Sequence, residues 1–182
     1  MARRVFFSFH YENDIWRANQ VRNANVVAGP DVAGFFDHSE YEDAKRKGPE
    51  AIKRMILRHL ENTTVTVVLI GRFTASRFWV RYEIAQSIKR KNGLLGIYIH
   101  HLKSPHDPPP TLLTALAAAQ LPTKPYVPPQ ILFPAYVWDK DLKKFAAAIE
   151  EVGKRADTWR NPPFRTLLGG FPPIPPPRRF TQ

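Results

Sequence analysis

The chain has no cysteine among its 182 residues. A disulfide framework and a zinc site built on thiolates are therefore both excluded. It also lacks an apolar run long enough to span a bilayer, and the brief apolar stretch after Arg3 and Arg4 is too short for a secretory signal. These absences predict a cytoplasmic protein that has no membrane partner.

Several motifs of nucleotide and hydrolase chemistry are missing as well. The sequence contains no G-x-G-x-x-G fingerprint, no G-x-x-x-x-G-K-[ST] loop and no G-x-S-x-G elbow. His100, His101 and His106 lie close together in sequence, but no carboxylate accompanies them at metal-ligand spacing on a helix, so we expect no metal. The apolar run at residues 65–70 ends in Gly71 rather than in an aspartate, which argues against a phospho-receiver.

Acidic residues are outnumbered, with 16 Asp and Glu against 27 Lys and Arg, and the formal net charge is +11. Such an excess favours an anionic partner. Nucleic acid fits the charge alone, but the charge is dispersed and no nucleic-acid-binding motif accompanies it. A phosphate-bearing small molecule, such as a dinucleotide, is served equally well by this charge, so a nucleic-acid partner stays an alternative that rests on charge alone.

The sequence does contain a regular alternation of short apolar β-rich runs with helical patterns. The predicted strands are residues 5–9, 33–36, 65–70, 94–99 and 135–138. The predicted helices are residues 14–24, 49–60, 79–90 and 141–152, and residues 37–43 are predicted to form a polar loop. This alternation predicts right-handed crossovers and a parallel sheet. We predict a flavodoxin-like α/β fold, in which a five-stranded parallel sheet of order 2-1-3-4-5 has helices on both faces.

Proline divides the chain further. Half of its 18 prolines lie in residues 105–134, which we predict to be an irregular insertion within a domain of residues 1–153. Residues 154–182 are rich in arginine and proline, and we predict that they form a basic polyproline-like tail.

A group of polar and aromatic residues follows the predicted strands. The candidate site residues are Ser8, Phe9, His10, Tyr11, Asp37, Arg77, Trp79 and Glu83. Trp79 and Glu83 are four residues apart on one predicted helix and therefore share a face. The carboxyl ends of parallel strands meet at one edge of a sheet, so these side chains are predicted to converge there. Each has a structural alternative: Trp79 in the core, Glu83 paired with nearby arginines, Asp37 as a helix cap.

The element Trp79-Val-Arg-Tyr-Glu83 resembles the W-x-x-x-E element of TIR domains. Three further stretches are similar to the TIR-like proteins of bacterial Thoeris anti-phage systems: Arg4-Val-Phe-Phe-Ser-Phe-His-Tyr11, Glu42-Asp-Ala-Lys45 and Asn62-Thr-Thr-Val-Thr-Val-Val-Leu-Ile-Gly71. The resemblance covers residue 3 to about residue 100 and fades in the proline-rich region.

The resemblance implies an enzyme that consumes NAD+ as a substrate and needs no cofactor. Glu83 matches the glutamate that is essential for cleaving the bond between nicotinamide and ribose. The product would be a cyclic ADP-ribose isomer or a related ADP-ribose signal that activates a separate effector protein. Aromatic residues such as Phe9, Tyr11 or Trp79 would wall the ribose or the nicotinamide, and Arg77 would meet the pyrophosphate.

The resemblance also implies self-association, so we expect a homo-oligomer. It leaves one alternative open, because the W-x-x-x-E element also occurs in TIR domains that act only as adaptors. In that case the protein is a non-catalytic interaction module.

Overall fold

The computed structural model describes residues 3–26, 38–105 and 133–160. The strands are β1 (Val5–Ser8), β2 (Val65–Ile70), β3 (Gly93–Tyr98) and β4 (Ala135–Val137). The helices are α1 (Tyr11–Val26), α2 (His38–Lys47), α3 (Pro49–Leu60), α4 (Phe78–Lys89) and α5 (Leu142–Arg160). A 3-10 turn at Thr74–Ser76 lies between β2 and α4.

The four described strands form one parallel sheet in the order β1-β2-β3-β4. Val65 lies opposite both Val5 and Gly93, and Gly96 lies opposite Ala135. The predicted α/β class and parallel sheet are therefore confirmed. The prediction of five strands is corrected: the described sheet has four, and the additional strand predicted at residues 33–36 lies outside the described residues. The other four keep the relative order that we predicted.

Helices pack on both faces of the sheet because successive strand residues point to opposite sides. On one face, Phe7 of β1 lies 6.4 Å from Phe145 of α5, ring centre to ring centre, and α1 packs into the same cluster. On the other face, Phe6 packs against α3, while Val68 and Ile70 of β2 pack against α4. The described strand residues of β1 and β2 are all buried, which explains their continuous apolar character.

Helices α1 and α2 differ from the sequence prediction. Helix α1 begins at Tyr11, three residues early, because the Asp14 amide donates a 2.9 Å hydrogen bond to the His10 carbonyl and closes a first turn. The predicted polar loop at residues 37–43 is wrong, since α2 begins at His38. This helix is polar, and buried Ala44 packs it against α3, a tertiary contact that its own sequence pattern does not reveal.

Helix α5 continues to Arg160, so the predicted domain boundary after residue 153 lies within a helix. Arg3 fixes the carboxyl-terminal end of this helix by donating a 2.7 Å hydrogen bond to the Asp157 side chain. Residues 106–132 and 161–182, which contain most of the predicted insertion and tail, lie outside the described residues. Within the part of the chain that the structure describes, no helix is long and apolar enough to cross a membrane.

Candidate active site

Glu83 is a buried carboxyl group at the carboxyl-terminal edge of the sheet. The loop after β2 leads into α4, and α4 packs back over the sheet so that Glu83 reaches the last residue of β1. There the Ser8 hydroxyl donates a 2.5 Å hydrogen bond to Glu83 Oε2. Glu83 is 4% exposed and Ser8 is fully buried. The structure thus joins two candidate residues that are 75 positions apart in sequence.

Burial changes the acidity of this carboxyl group. Loss of solvation raises the pKa of Glu83 from 4.5 to about 8, and the hydrogen bond from Ser8 opposes part of that rise. Burial penalises the charged form of a carboxyl group because few polar groups replace the lost water. At neutral pH the free protein therefore holds Glu83 mainly in its protonated form.

A cleft of about 320 Å³ opens above Glu83. Its walls come from the end of β1, the first turn of α1, one face of α2 and α3, and the start of α4. The lining residues are Phe9, His10, Tyr11, Glu12, Tyr41, Lys45, Ile52, Arg77, Phe78, Trp79, Val80 and Glu83. Six of the eight candidate residues from the sequence line this cleft. Ser8 does not line it, but its hydroxyl is hydrogen-bonded to Glu83. Asp37 lies outside the described residues.

The site residues selected from the sequence did not include the ones that α2 contributes to the cleft. Tyr41 stacks on Tyr11 with ring centres 4.1 Å apart, and Lys45 Nζ lies 2.7 Å from Glu12 Oε1. This ion pair lowers the pKa of Glu12. A helical reading of residues 38–47 would have placed Tyr41 and Lys45 four apart on one face, and this spacing was the available signal.

His10 lies in the wall of the cleft and is 5% exposed. Burial lowers the pKa of His10, and the positive charge of Arg77 adds to that effect, while Glu12 opposes it. His10 is therefore a neutral imidazole at neutral pH. A neutral imidazole offers one donor and one acceptor nitrogen to a bound molecule.

Trp79 combines a structural role with a place in the cleft. It is half-buried, packs on the cluster formed by α3 and Phe6, and meets Tyr82 edge to face at 6.0 Å. Phe78 meets the Trp79 ring edge to face at 5.0 Å, and its own side chain is exposed. The Trp79 side chain therefore packs against the core and also lines the cleft.

A chain of buried hydrogen bonds runs beneath α4 toward Glu83. The side-chain amide of Asn92 donates a hydrogen bond to the Thr66 hydroxyl (3.3 Å), and the Thr66 hydroxyl donates one to the Ser87 hydroxyl (2.8 Å). Ser87 in turn donates to the main-chain carbonyl of Glu83 (2.8 Å). Thr66 and Ser87 are fully buried, so each depends on these partners for its hydrogen bonds. This series of hydrogen bonds fixes α4 on β2 at the helical turn that carries Glu83.

A second hollow of about 330 Å³ lies between β4 and α5. Its lining is mainly apolar, and its charged residues, Lys144 and Glu151, are both exposed. It offers no buried ionisable group comparable to Glu83 among the described residues. In residues 3–26, 38–105 and 133–160, no three His, Asp or Glu side chains lie close enough together to hold a metal ion. The cleft above Glu83 is therefore the candidate active site.

A parallel sheet with helices on both faces, and a buried glutamate of a W-x-x-x-E element at its carboxyl-terminal edge, define a TIR-like domain. The family model described as the TIR-like domain of the Thoeris protein ThsB matches residues 6–104, which is more than half of the chain. The chain belongs to this family.

One curated relative is similar over much of the same region. It is named "Putative cyclic ADP-D-ribose synthase ThsB1" and comes from Bacillus cereus (strain MSX-D12). The two sequences are 51% identical over 105 residues, which cover 57% of this chain and 55% of the relative. The chain thus matches about half the length of that relative.

Proposed function

We propose that this protein cleaves the bond between nicotinamide and ribose in NAD+. It forms a cyclic ADP-ribose isomer or a related ADP-ribose signal for anti-phage defence. The observation that carries this proposal is the buried, Ser8-bonded carboxyl of Glu83 at the floor of the cleft. The name of the Bacillus cereus relative, "Putative cyclic ADP-D-ribose synthase ThsB1", supports the same reaction.

Glu83 would act on the ribose as the bond to nicotinamide breaks. The electron pair of that bond leaves with nicotinamide, and the ribose becomes an oxocarbenium-like cation. A carboxylate held nearby stabilises this cation more than it stabilises the neutral ribose, which is the requirement for catalysis. The nicotinamide ring of NAD+ is itself a cation, so its binding lowers the pKa of Glu83 and favours the carboxylate that the reaction needs.

The remaining lining residues suit the rest of a dinucleotide. Arg77 and Lys45 line the cleft and offer positive charge to a pyrophosphate. Arg77 also lies at the N-cap of α4, whose first-turn amides carry partial positive charge. Phe9 and Tyr11 stack with ring centres 5.9 Å apart and form an apolar wall beside Glu83.

After nicotinamide leaves, the adenosine half of the same molecule competes with water for the ribose carbon. Attack by adenosine closes a ring, and attack by water gives ADP-ribose. NAD+ is the substrate throughout, and the proposed reaction uses no metal and no further cofactor. We further propose that the product diffuses to a separate effector protein and that the enzyme acts as a homo-oligomer.

Nicotinamide release by the purified protein tests the proposed reaction. Wild-type protein should release nicotinamide from NAD+, and Glu83→Gln should release none while its circular dichroism spectrum stays unchanged. Glu50→Gln is the matched control, because Glu50 is exposed at the start of α3 and does not line the cleft. Full turnover by Glu83→Gln would contradict the catalytic role.

Nucleotide analysis by mass spectrometry in cells tests the signalling role. Cells that express wild-type protein should accumulate a new ADP-ribose-type product on phage infection, whereas cells with Glu83→Gln should not. If the folded wild-type protein gives no product with or without phage, the protein is better described as a non-catalytic interaction module.

A further inference from the structure

Phe78 is an exposed aromatic residue at the mouth of the cleft. It is the first residue of α4, it lines the cleft, and 65% of its surface is open to solvent. The other phenylalanine of the cleft wall, Phe9, is 6% exposed, and Tyr11 is 7% exposed. Phe78 therefore offers more open ring surface to a bound molecule than either of these two rings.

The Phe78 ring is supported from one side. Its ring centre lies 5.0 Å from that of Trp79 at an interplanar angle of 79°, and Trp79 meets Tyr82 at 87°. These edge-to-face contacts hold the ring while its outer face stays free. A phenylalanine has few rotatable bonds, so a planar ligand that stacks on it orders the side chain at a low entropic cost.

Phe78 and Glu83 lie on the same helix, five residues and about 7.5 Å apart along its axis. If the ribose that loses nicotinamide lies against Glu83, as proposed above, the pyrophosphate passes Arg77 and the adenine reaches the outer end of the cleft. We propose that Phe78 stacks against the adenine of NAD+ and so determines whether the enzyme makes a cyclic or a linear product. This inference rests on the proposed function.

Stacking at Phe78 would act on the second half of the reaction. The bond to nicotinamide breaks first, and its electron pair leaves with neutral nicotinamide. A hydroxyl or ring nitrogen of the adenosine half then forms the new bond to the ribose carbon, and any proton that it carries passes to solvent. An adenine held on Phe78 keeps this nucleophile near the ribose, whereas a free adenine leaves the carbon open to water.

The experiment compares wild type with Phe78→Ala, Phe78→Tyr and Phe73→Ala. Phe73 is the matched control, because it is 51% exposed in the segment that leads into α4 and does not line the cleft. Calorimetry measures the binding of ADP-ribose, which contains adenine, and of ribose 5-phosphate, which does not. Light scattering measures the oligomeric state, and chromatography measures the ratio of cyclic to linear product from NAD+.

Phe78→Ala should weaken ADP-ribose binding roughly tenfold, within the range of base stacking on an aromatic side chain, and should leave ribose 5-phosphate binding unchanged. It should also lower the ratio of cyclic to linear product severalfold. Phe78→Tyr should restore both quantities, and Phe73→Ala should match wild type.

Unchanged ADP-ribose affinity in Phe78→Ala would overturn the inference, even if nicotinamide release were normal. A change in oligomeric state without a change in ADP-ribose affinity would overturn it as well, and would assign Phe78 to contacts between protein molecules. Wild-type protein that binds ADP-ribose through Phe78 but releases no nicotinamide would support adenine stacking and contradict the proposed reaction. Absence of ADP-ribose binding to wild type would overturn adenine stacking, while nicotinamide release would still decide the proposed reaction.

Discussion

Replacing Glu83 with glutamine should stabilise the protein, and the gain should grow with pH. The pKa of Glu83 is about 8 in the folded protein against 4.5 for an ordinary glutamate, because burial penalises the carboxylate. The folded state thus holds this proton more tightly than the unfolded state. The stability that the protonated group contributes is complete below about pH 4.5, and it is lost as the pH rises to about 8.

The size of the effect follows from the shift. Each pKa unit corresponds to about 1.4 kcal/mol, so the full loss for wild type is roughly 5 kcal/mol. Between pH 5 and pH 8 the loss is roughly 3 kcal/mol. Glutamine does not titrate, and its side-chain oxygen can still accept the hydrogen bond from Ser8, so the variant escapes this loss.

Urea denaturation of both proteins at pH 5, 6.5 and 8 measures the difference directly. Contributions from other titrating groups are common to both proteins and cancel in the difference. The free energy of unfolding of Glu83→Gln relative to wild type should increase by roughly 3 kcal/mol from pH 5 to pH 8. Glu50→Gln is the control. Its difference from wild type should stay constant, because the hydrogen bond from Lys53 lowers the pKa of Glu50 and the group is ionised throughout this pH range.

A difference for Glu83→Gln that does not change with pH would refute the reasoning. It would show that Glu83 is ionised in the folded protein at pH 5 and that burial does not control its charge. A variant that is both more stable and inactive would instead identify a residue kept for chemistry at the expense of stability.

Three further predictions concern residues around Glu83. The kcat/KM for NAD+ should rise with pH up to about 8 as Glu83 ionises, and Ser8→Ala should move this rise to higher pH, as a pH–rate profile would show. Gly71→Ala should destabilise the protein by about 1–3 kcal/mol in urea denaturation, because an added methyl group would collide with the Asp14 carboxyl group; an unchanged midpoint would contradict the packing. Ser87→Ala should cost about 1–3 kcal/mol by the same assay, because it removes the acceptor of a buried threonine hydroxyl, and a neutral effect would mean that the hydrogen-bond chain is dispensable.

The parallel sheet was predictable because its signals are local. The residues of β2 read as a buried strand from their own apolar β-branched character. Val80 and Ile84 of α4 are four residues apart, which is the spacing of an apolar helix face. Helix α2 was not predictable in this way. Ala44, which is 6% exposed, is the buried residue of this helix among those described. Its helical pattern was therefore too weak to see beside so many charged residues.

Glycine shows the same division between local and distant causes. Gly93 directly precedes the strand predicted at residues 94–99. In the structure, a side chain at Gly93 would collide with the main-chain carbonyl of Val152 in α5, an element 59 positions later. Sequence patterns locate such a glycine, but its packing partner belongs to the assembled fold.

The amino-acid sequence by itself determined the order of the described strands and of every described helix except α2, and it singled out Glu83 through its spacing from Trp79. Both follow from the fixed periods of strands and helices, which act between near neighbours. Only the tertiary structure decided that Ser8 donates to Glu83, that burial raises the pKa of this carboxyl group, and that Phe78 stays exposed beside it. Hydrogen bonding and loss of solvation depend on every element that closes around a group, so they exist only once the distant parts of the chain have packed together.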